Sequence, residues 1–349
     1  MENRPDQRSL WLSRSFRSLC KLGPFRSFRS LCMRGSGLRA GALMVAVAMV
    51  AAVLAACSAA PATNVSPATS GSAGEVDLPG PDHPAWLLAR SVLAQLVLDP
   101  AAVSELNGRL VYELLPPGVP PLPRVVAEPV VDFASAAALE SAVNAGQLPS
   151  GTFGVLYDPE AWVFTPLAEQ QNPVQAAEAA AAVAHAHGLR LIVTPAIDLA
   201  AVLDPSGTGP EWRQFLDTDL VGRLAKVADV VELQAQSLEQ DTRVYTAFVQ
   251  AAAAQANAAR PGIDLLGGLS TNPSGMVIDA AELMADIPAT RPVVDGYWLN
   301  VPAPGPQCPA CHAAQPAVAA QVLALTPLTS AGFAAGVTVS RLLCAPGCG

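Results

Sequence analysis

The chain has 349 residues, 51% of them hydrophobic, with 20 basic and 29 acidic side chains and a formal net charge of −9. Nine of the basic residues but only two of the acidic ones lie in the first 56, so the remainder carries 11 basic against 27 acidic side chains, a net of −16. Such a surface repels phosphate backbones and polyanionic glycans, which argues against nucleic acid as a partner.

Taken in order, residues 14–20 (Arg-Ser-Phe-Arg-Ser-Leu-Cys) recur as residues 26–32 without core-forming periodicity. Residues 1–32 therefore read as a non-native upstream extension or a disordered arm, with translation expected to start at Met33. From Met33 the pattern becomes that of an export signal: Arg34 and Arg39, then an uncharged run over 40–53, then the small residues before Cys57. A run of 14 residues makes about 21 Å of helix, short of a roughly 30 Å hydrocarbon core, so cleavage is favoured over a permanent span. Leu54-Ala55-Ala56-Cys57 resembles the lipobox of bacterial lipoproteins. The resemblance implies cleavage of the 33–56 signal, lipidation of Cys57, and an exported protein anchored to the outer face of the cell membrane. Residues 57–81, rich in Ser, Ala, Pro, Thr and Gly, read as a flexible tether.

Residues 82–349 are expected to form one domain, a length that suits a single α/β barrel. Residues 84–98 show apolar spacing of three to four and predict a helix. Residues 110–114 could form a strand, but the link over 116–124 holds five prolines and no helix, so this unit is either a hairpin or an irregular opening. Strand-like runs then alternate with helical stretches: 130–133 with 135–145, 153–157 with 173–187, 189–194 with 211–228, 230–236 with 242–259, 264–268 with 280–287, and 296–300 with 313–325. A closing strand is expected over 336–342. The alternation predicts an α/β fold of the (β/α)8 TIM-barrel type with a degenerate first unit, with an open doubly wound sheet as the alternative.

In either architecture, sites lie at the carboxyl ends of the strands. Tyr157-Asp158-Pro159-Glu160-Ala161-Trp162 follows one strand, and Asp198 follows the next. Period-2 alternation places Glu232, Gln234 and Gln236 on one face of their strand, a polar file that is costly to bury unless satisfied. Asn272 follows the next strand, while Trp298 and Asn300 share a face of the one after. Carboxylates, amides and indoles around one cavity suit sugars, whose C–H faces lie on aromatic rings and whose hydroxyls need donors and acceptors. Asp158 and Glu232 form the expected acid and nucleophile/base pair, with Glu160 and Asp198 in reserve. Trp162, Tyr157, Gln234, Gln236, Asn272, Trp298 and Asn300 are the expected substrate contacts. Turn chemistry and hydrogen bonding to neighbours are the competing structural roles of these carboxylates.

These strand-end residues (Asp158, Glu160, Glu232, Trp298) make the layout resemble glycoside-hydrolase-like barrels among exported proteins of high-GC Gram-positive bacteria. The resemblance implies binding or cleavage of a neutral or weakly charged glycan without a cofactor. The alternative is a non-catalytic envelope lipoprotein that binds a ligand or serves as a scaffold.

Four cysteines remain near the C-terminus: Cys308, Cys311, Cys344 and Cys348. In an exported chain an even set is expected to form disulfides, either as local pairs or by joining loop to tail. Cys308-Pro309-Ala310-Cys311-His312 also matches haem attachment, but it sits in a Pro- and Gly-rich loop with a second cysteine pair available. His185 and His187 close a helix on the face opposite the expected site, and no metal site is expected. Gly267 and Gly268 lack the spacing of a dinucleotide or phosphate loop.

Overall fold

The computed structural model describes residues 84–326 apart from 108 and 124. Eight parallel strands close into a barrel in sequence order. They are β1 (Ala85–Ala89), β2 (Val111–Leu115), β3 (Glu128–Phe133), β4 (Gly154–Tyr157), β5 (Arg190–Val193), β6 (Val230–Leu233), β7 (Asp264–Ser270) and β8 (Gly296–Asn300). Helices α1 (Arg90–Leu96) and α2 (Pro100–Leu106) follow β1, and α3 (Ala136–Asn144) follows β3. After β4 come α4 (Leu167–Gln171) and α5 (Pro173–Ala186), and after β5 come α6 (Leu199–Leu203), α7 (Glu211–Asp217) and α8 (Leu220–Ala225). The last three are α9 (Thr242–Ala259), α10 (Ala280–Thr290) and α11 (Pro316–Leu325).

The helix expected over 84–98 is instead a strand followed directly by a helix. Trp86 and Leu88 pack outward under the helices, while Ala85 and Leu87 fill the barrel. A strand buried on both faces is a continuous apolar run, and here it merges with the apolar side of α1 into one pattern. β1 closes the ring: Ala85, Trp86 and Leu87 register with Gly296, Tyr297 and Trp298 of β8. The strand expected over 336–342 lies outside the described residues, as do the signal, Cys57 and the tether.

The opening unit is thus complete, and the irregularity falls in the second. β2 and β3 pair in parallel although their link, 116–127, contains no helix. Glu113 points outward from β2 and accepts the Leu122 amide at 2.9 Å, while Arg90 donates to the Pro120 carbonyl at 2.8 Å. These bonds pin the proline-rich link where a helix would otherwise lie. The single helix expected over 211–228 is broken into α7 and α8, where Asp219 adopts a left-handed φ of 50°.

Elsewhere local chemistry behaves as written in the chain. Ser135 caps α3 through the Ala138 amide, and Gly188, at φ +69°, ends the turn after α5. Leu87, Tyr112, Leu114, Val130, Leu156, Ile192, Val230 and Leu266 plug the barrel interior. The mouth at the carboxyl ends is therefore floored by packed side chains, not by an open channel. Among the described residues no helix is long and apolar enough to cross a membrane.

Candidate active site

Alternation decides which strand-end residues enter the mouth. Val130 and Leu156 point inward, so Asp132 two residues on in β3, and Asp158 just beyond β4, point inward as well. The same parity brings in Thr194 after β5, Glu232 and Gln234 on the β6 line, Gly268 in β7, and Trp298 and Asn300 in β8. The inner ladder continues beyond the strands: the Asp158 amide donates to the Phe133 carbonyl at 2.9 Å, and that of Thr194 to the Tyr157 carbonyl at 3.0 Å.

Three strands meet in one hydrogen-bonded knot. Asp158 Oδ1 accepts from Thr194 Oγ1 at 2.5 Å and from Gln234 Nε2 at 3.2 Å. The same Gln234 nitrogen donates to Glu160 Oε1 at 3.1 Å. Two carboxyl oxygens that share one donor lie within about 6 Å of each other. Glu232 Oε1 accepts from Gln236 Nε2 at 3.4 Å. Gly268 makes room for both, because a methyl group there would overlap the Glu232 carboxyl and the Gln236 amide.

Depth divides the cluster. Glu232 is fully buried and Asp158 is 6% exposed, whereas Asp132, Glu160, Gln234 and Gln236 are partly exposed. Glu232 Oε2, Gln236 Oε1, Asp132 Oδ1 and Trp298 Nε1 are buried without a hydrogen-bond partner among the described residues.

Burial and like-charge repulsion both hold protons on these acids. Desolvation, then Glu160, lifts Asp132 to about 7. Desolvation, then Asp132, lifts Asp158 to about 8 against the opposing Thr194 hydrogen bond. Glu160 also rises to about 8, through desolvation and then Asp158, opposed by Gln234. Glu232 stands well above the ordinary range, through desolvation and then Asp158 and Glu160. Groups this interdependent titrate as a set, and together they hold their protons to higher pH than isolated carboxyls would.

The architecture is that of a TIM barrel. No protein-family model and no curated protein matches the sequence. Solved structures similar to the chain include triosephosphate isomerase from Bartonella henselae, at 14% identity and TM-score 0.34, covering 62% of this chain and 92% of that one. A chitinase from Chromobacterium violaceum is 14% identical at TM-score 0.33, covering 54% and 68%. An active-site mutant of Rhizomucor miehei β-1,3-glucanosyltransferase, in complex with laminaritriose, is 14% identical at TM-score 0.31, covering 62% and 74%. The strand order itself establishes the fold; these likenesses say nothing of what this chain acts on.

The residues singled out from sequence fall into two groups. Asp158, Glu160, Glu232, Gln234, Gln236, Trp298 and Asn300 gather at the mouth. Asp198 is half-buried beside it, where its Oδ1 accepts the Ala161 amide at 3.0 Å and so positions the loop after β4. Tyr157 does not join them. It points outward into the helical layer and donates to Glu169 Oε2 at 3.1 Å, because the alternation that turns Asp158 in turns its neighbour out. Asn272 is also withdrawn: fully buried, it donates to the His312 carbonyl at 2.9 Å and braces the loop after β8. Trp162 is half-buried, with its Nε1 donating to Thr165 Oγ1 at 2.8 Å.

Asp132 escaped the sequence reading. Its signal was a lone carboxylate closing the apolar run Val130-Val131, in the same strand-end position that marked Asp158. Cys308 and Cys311 form a disulfide in the loop after β8, while Cys344 and Cys348 lie outside the described residues. His185 bonds Asp229 at 2.8 Å at the opposite end of the barrel. Among the described residues no three His, Cys, Asp or Glu side chains are arranged to hold a metal ion.

Proposed function

We propose that the barrel mouth binds or cleaves a neutral or weakly charged glycan, and that a lipid on Cys57 holds the protein at the outer face of the cell membrane. One observation carries the first part: four inward carboxyls, the partly exposed Asp132 and Glu160 and the buried Asp158 and Glu232, converge at the carboxyl end of the barrel with the amides of Gln234 and Gln236 and the indole of Trp298. Glycoside hydrolysis needs one carboxyl that keeps its proton and another that is ionised.

Exposure refines the expected pair. A group that protonates a glycosidic oxygen must reach it, and Glu232 is sealed while Asp158 is nearly so. Glu160 therefore takes the acid role, giving its proton to the leaving oxygen. Asp132, the other partly exposed carboxyl, acts as nucleophile or as base toward water. Asp158 and Glu232 are more deeply buried, and the Asp158 charge strengthens the hold of Glu160 on its proton. Trp162, half-buried on the loop after β4, supplies an apolar face for the sugar.

Screening neutral oligosaccharides with the purified protein tests this. Glu160→Gln and Asp132→Asn are expected to lower kcat by about 10²- to 10⁴-fold. Turnover untouched by these two, and by Asp158→Asn and Glu232→Gln, overturns the assignment. A non-catalytic ligand-binding role is the second reading, supported by the hydrogen bonds that already tie Asp158 and Glu160 to Thr194 and Gln234. Saturable glycan binding with no bond cleavage decides for it. Radiolabelled fatty acid incorporated by the wild type and absent from Cys57→Ser tests the anchor.

A further inference from the structure

We propose that the sugar unit seated in the mouth carries a free amine, so that the ligand class is an amino-sugar glycan with an unblocked ammonium group. The inference rests on the glycan reading above and specifies the charge of its ligand. Around the mouth stand Asp132 from β3, Asp158 and Glu160 from the end of β4, and Asp198 before α6 with Glu211 of α7 near it, while Glu232 of β6 is buried beside Asp158 and Glu160. The ion pairs Arg90–Glu113, Arg109–Glu105, His185–Asp229, Arg190–Asp264 and Arg243–Asp241 all leave these carboxyls out. Acids of one sign at this density attract a cationic group more strongly than a neutral hydroxyl.

The second observation concerns atoms left over. Trp298, 7% exposed and pointing into the barrel, has an indole N–H with no partner among the described residues, and it registers beside Gly268, over which Glu232 and Gln236 lie. Glu232 Oε2 and Gln236 Oε1 are likewise unpartnered. An ammonium group offers three donors and no acceptor, matching the partly exposed Asp132, Glu160 and Gln236, of which Asp132 Oδ1 and Gln236 Oε1 are unpartnered, while the indole N–H suits a sugar oxygen. An arriving cation favours the ionised carboxyls and expels protons that their mutual repulsion had retained. No covalent step is involved.

The test is calorimetric titration at about pH 5.5, where the sugar amines arrive charged, in two buffers of different ionisation enthalpy, using a glucosamine tetramer, its fully N-acetylated counterpart, cellotetraose and cadaverine. The glucosamine tetramer is expected to bind at least about tenfold tighter than the acetylated one, with proton release. Glu160→Gln and Asp132→Asn, each checked for an unchanged circular dichroism spectrum, are expected to remove that preference. Equal or weaker binding of the glucosamine tetramer overturns the inference, as does an unchanged preference in both variants. Cellotetraose binding without amine preference leaves the glycan reading standing and sinks this one. Cadaverine, charged like lysine to about pH 10, binding while no oligosaccharide binds overturns the glycan reading and this inference together, leaving a site for amines that are not sugars. Silence from all four probes sinks both.

Discussion

At the scale of single residues, the site depends on which side of a strand a position falls. Tyr157 and Asp158 are adjacent, yet one anchors the helical layer and the other the mouth. Gly268 is decisive in another way, since its missing side chain is the space that Glu232 and Gln236 occupy. Gly268→Ala is therefore expected to push the Glu232 carboxyl out of place. Its signature is at least about a tenfold loss of ligand binding, with a modest stability cost of ~1–3 kcal/mol from overpacking. A binding isotherm indistinguishable from wild type contradicts that role. None of this was readable from the pair Gly267-Gly268, because a glycine shows its purpose only against the neighbour that approaches it.

At the scale of elements, the loop after β4 is the most elaborately held segment near the site. Thr165 Oγ1 accepts the Glu160 amide at 3.3 Å and Trp162 Nε1 at 2.8 Å, and donates to the Ala134 carbonyl at 2.8 Å. Gln170 Nε2 donates to the carbonyls of Trp162 and Thr165, both at 2.7 Å. Thr165→Val keeps the shape but strands these partners, at a cost of about 1–3 kcal/mol, and frees the loop that carries Glu160. Faster proteolytic cleavage within 160–166 is the expected readout, and unchanged cleavage and melting temperature would count against it.

Glu169 in α4 shows the same economy. It accepts from Ser135 Oγ, the Ala136 and Ala137 amides and Tyr157 Oη, tying α3 and β4 together. Glu169→Ala is expected to destabilise by about 1–2 kcal/mol in chemical denaturation. Strand–helix alternation announced α3, α5 and α9 close to their observed bounds. It could not announce β1, whose two apolar faces merge with α1 into a helical pattern.

At the scale of the whole molecule, the buried acids make stability depend on pH. Asp132, Asp158, Glu160 and Glu232 all hold protons more tightly folded than unfolded. From the ordinary carboxylate range near pH 4 up to about 8, the native state carries the extra protons, so stability falls as pH rises through that window. The melting temperature is expected to drop between pH 5 and pH 9, and a Glu232→Gln variant to flatten the drop. A midpoint that rises with pH refutes the burial of these charges.

What the sequence by itself determined is the barrel class and most of the acids and amides at its mouth. Strand–helix alternation and period-2 patterning are local properties, written in neighbouring residues. Ring closure by β1 and the sharing of one Gln234 nitrogen by two carboxyls were decided only by tertiary structure. Each depends on residues far apart in the chain meeting at a distance of one hydrogen bond, and that distance exists only once the sheet has rolled up.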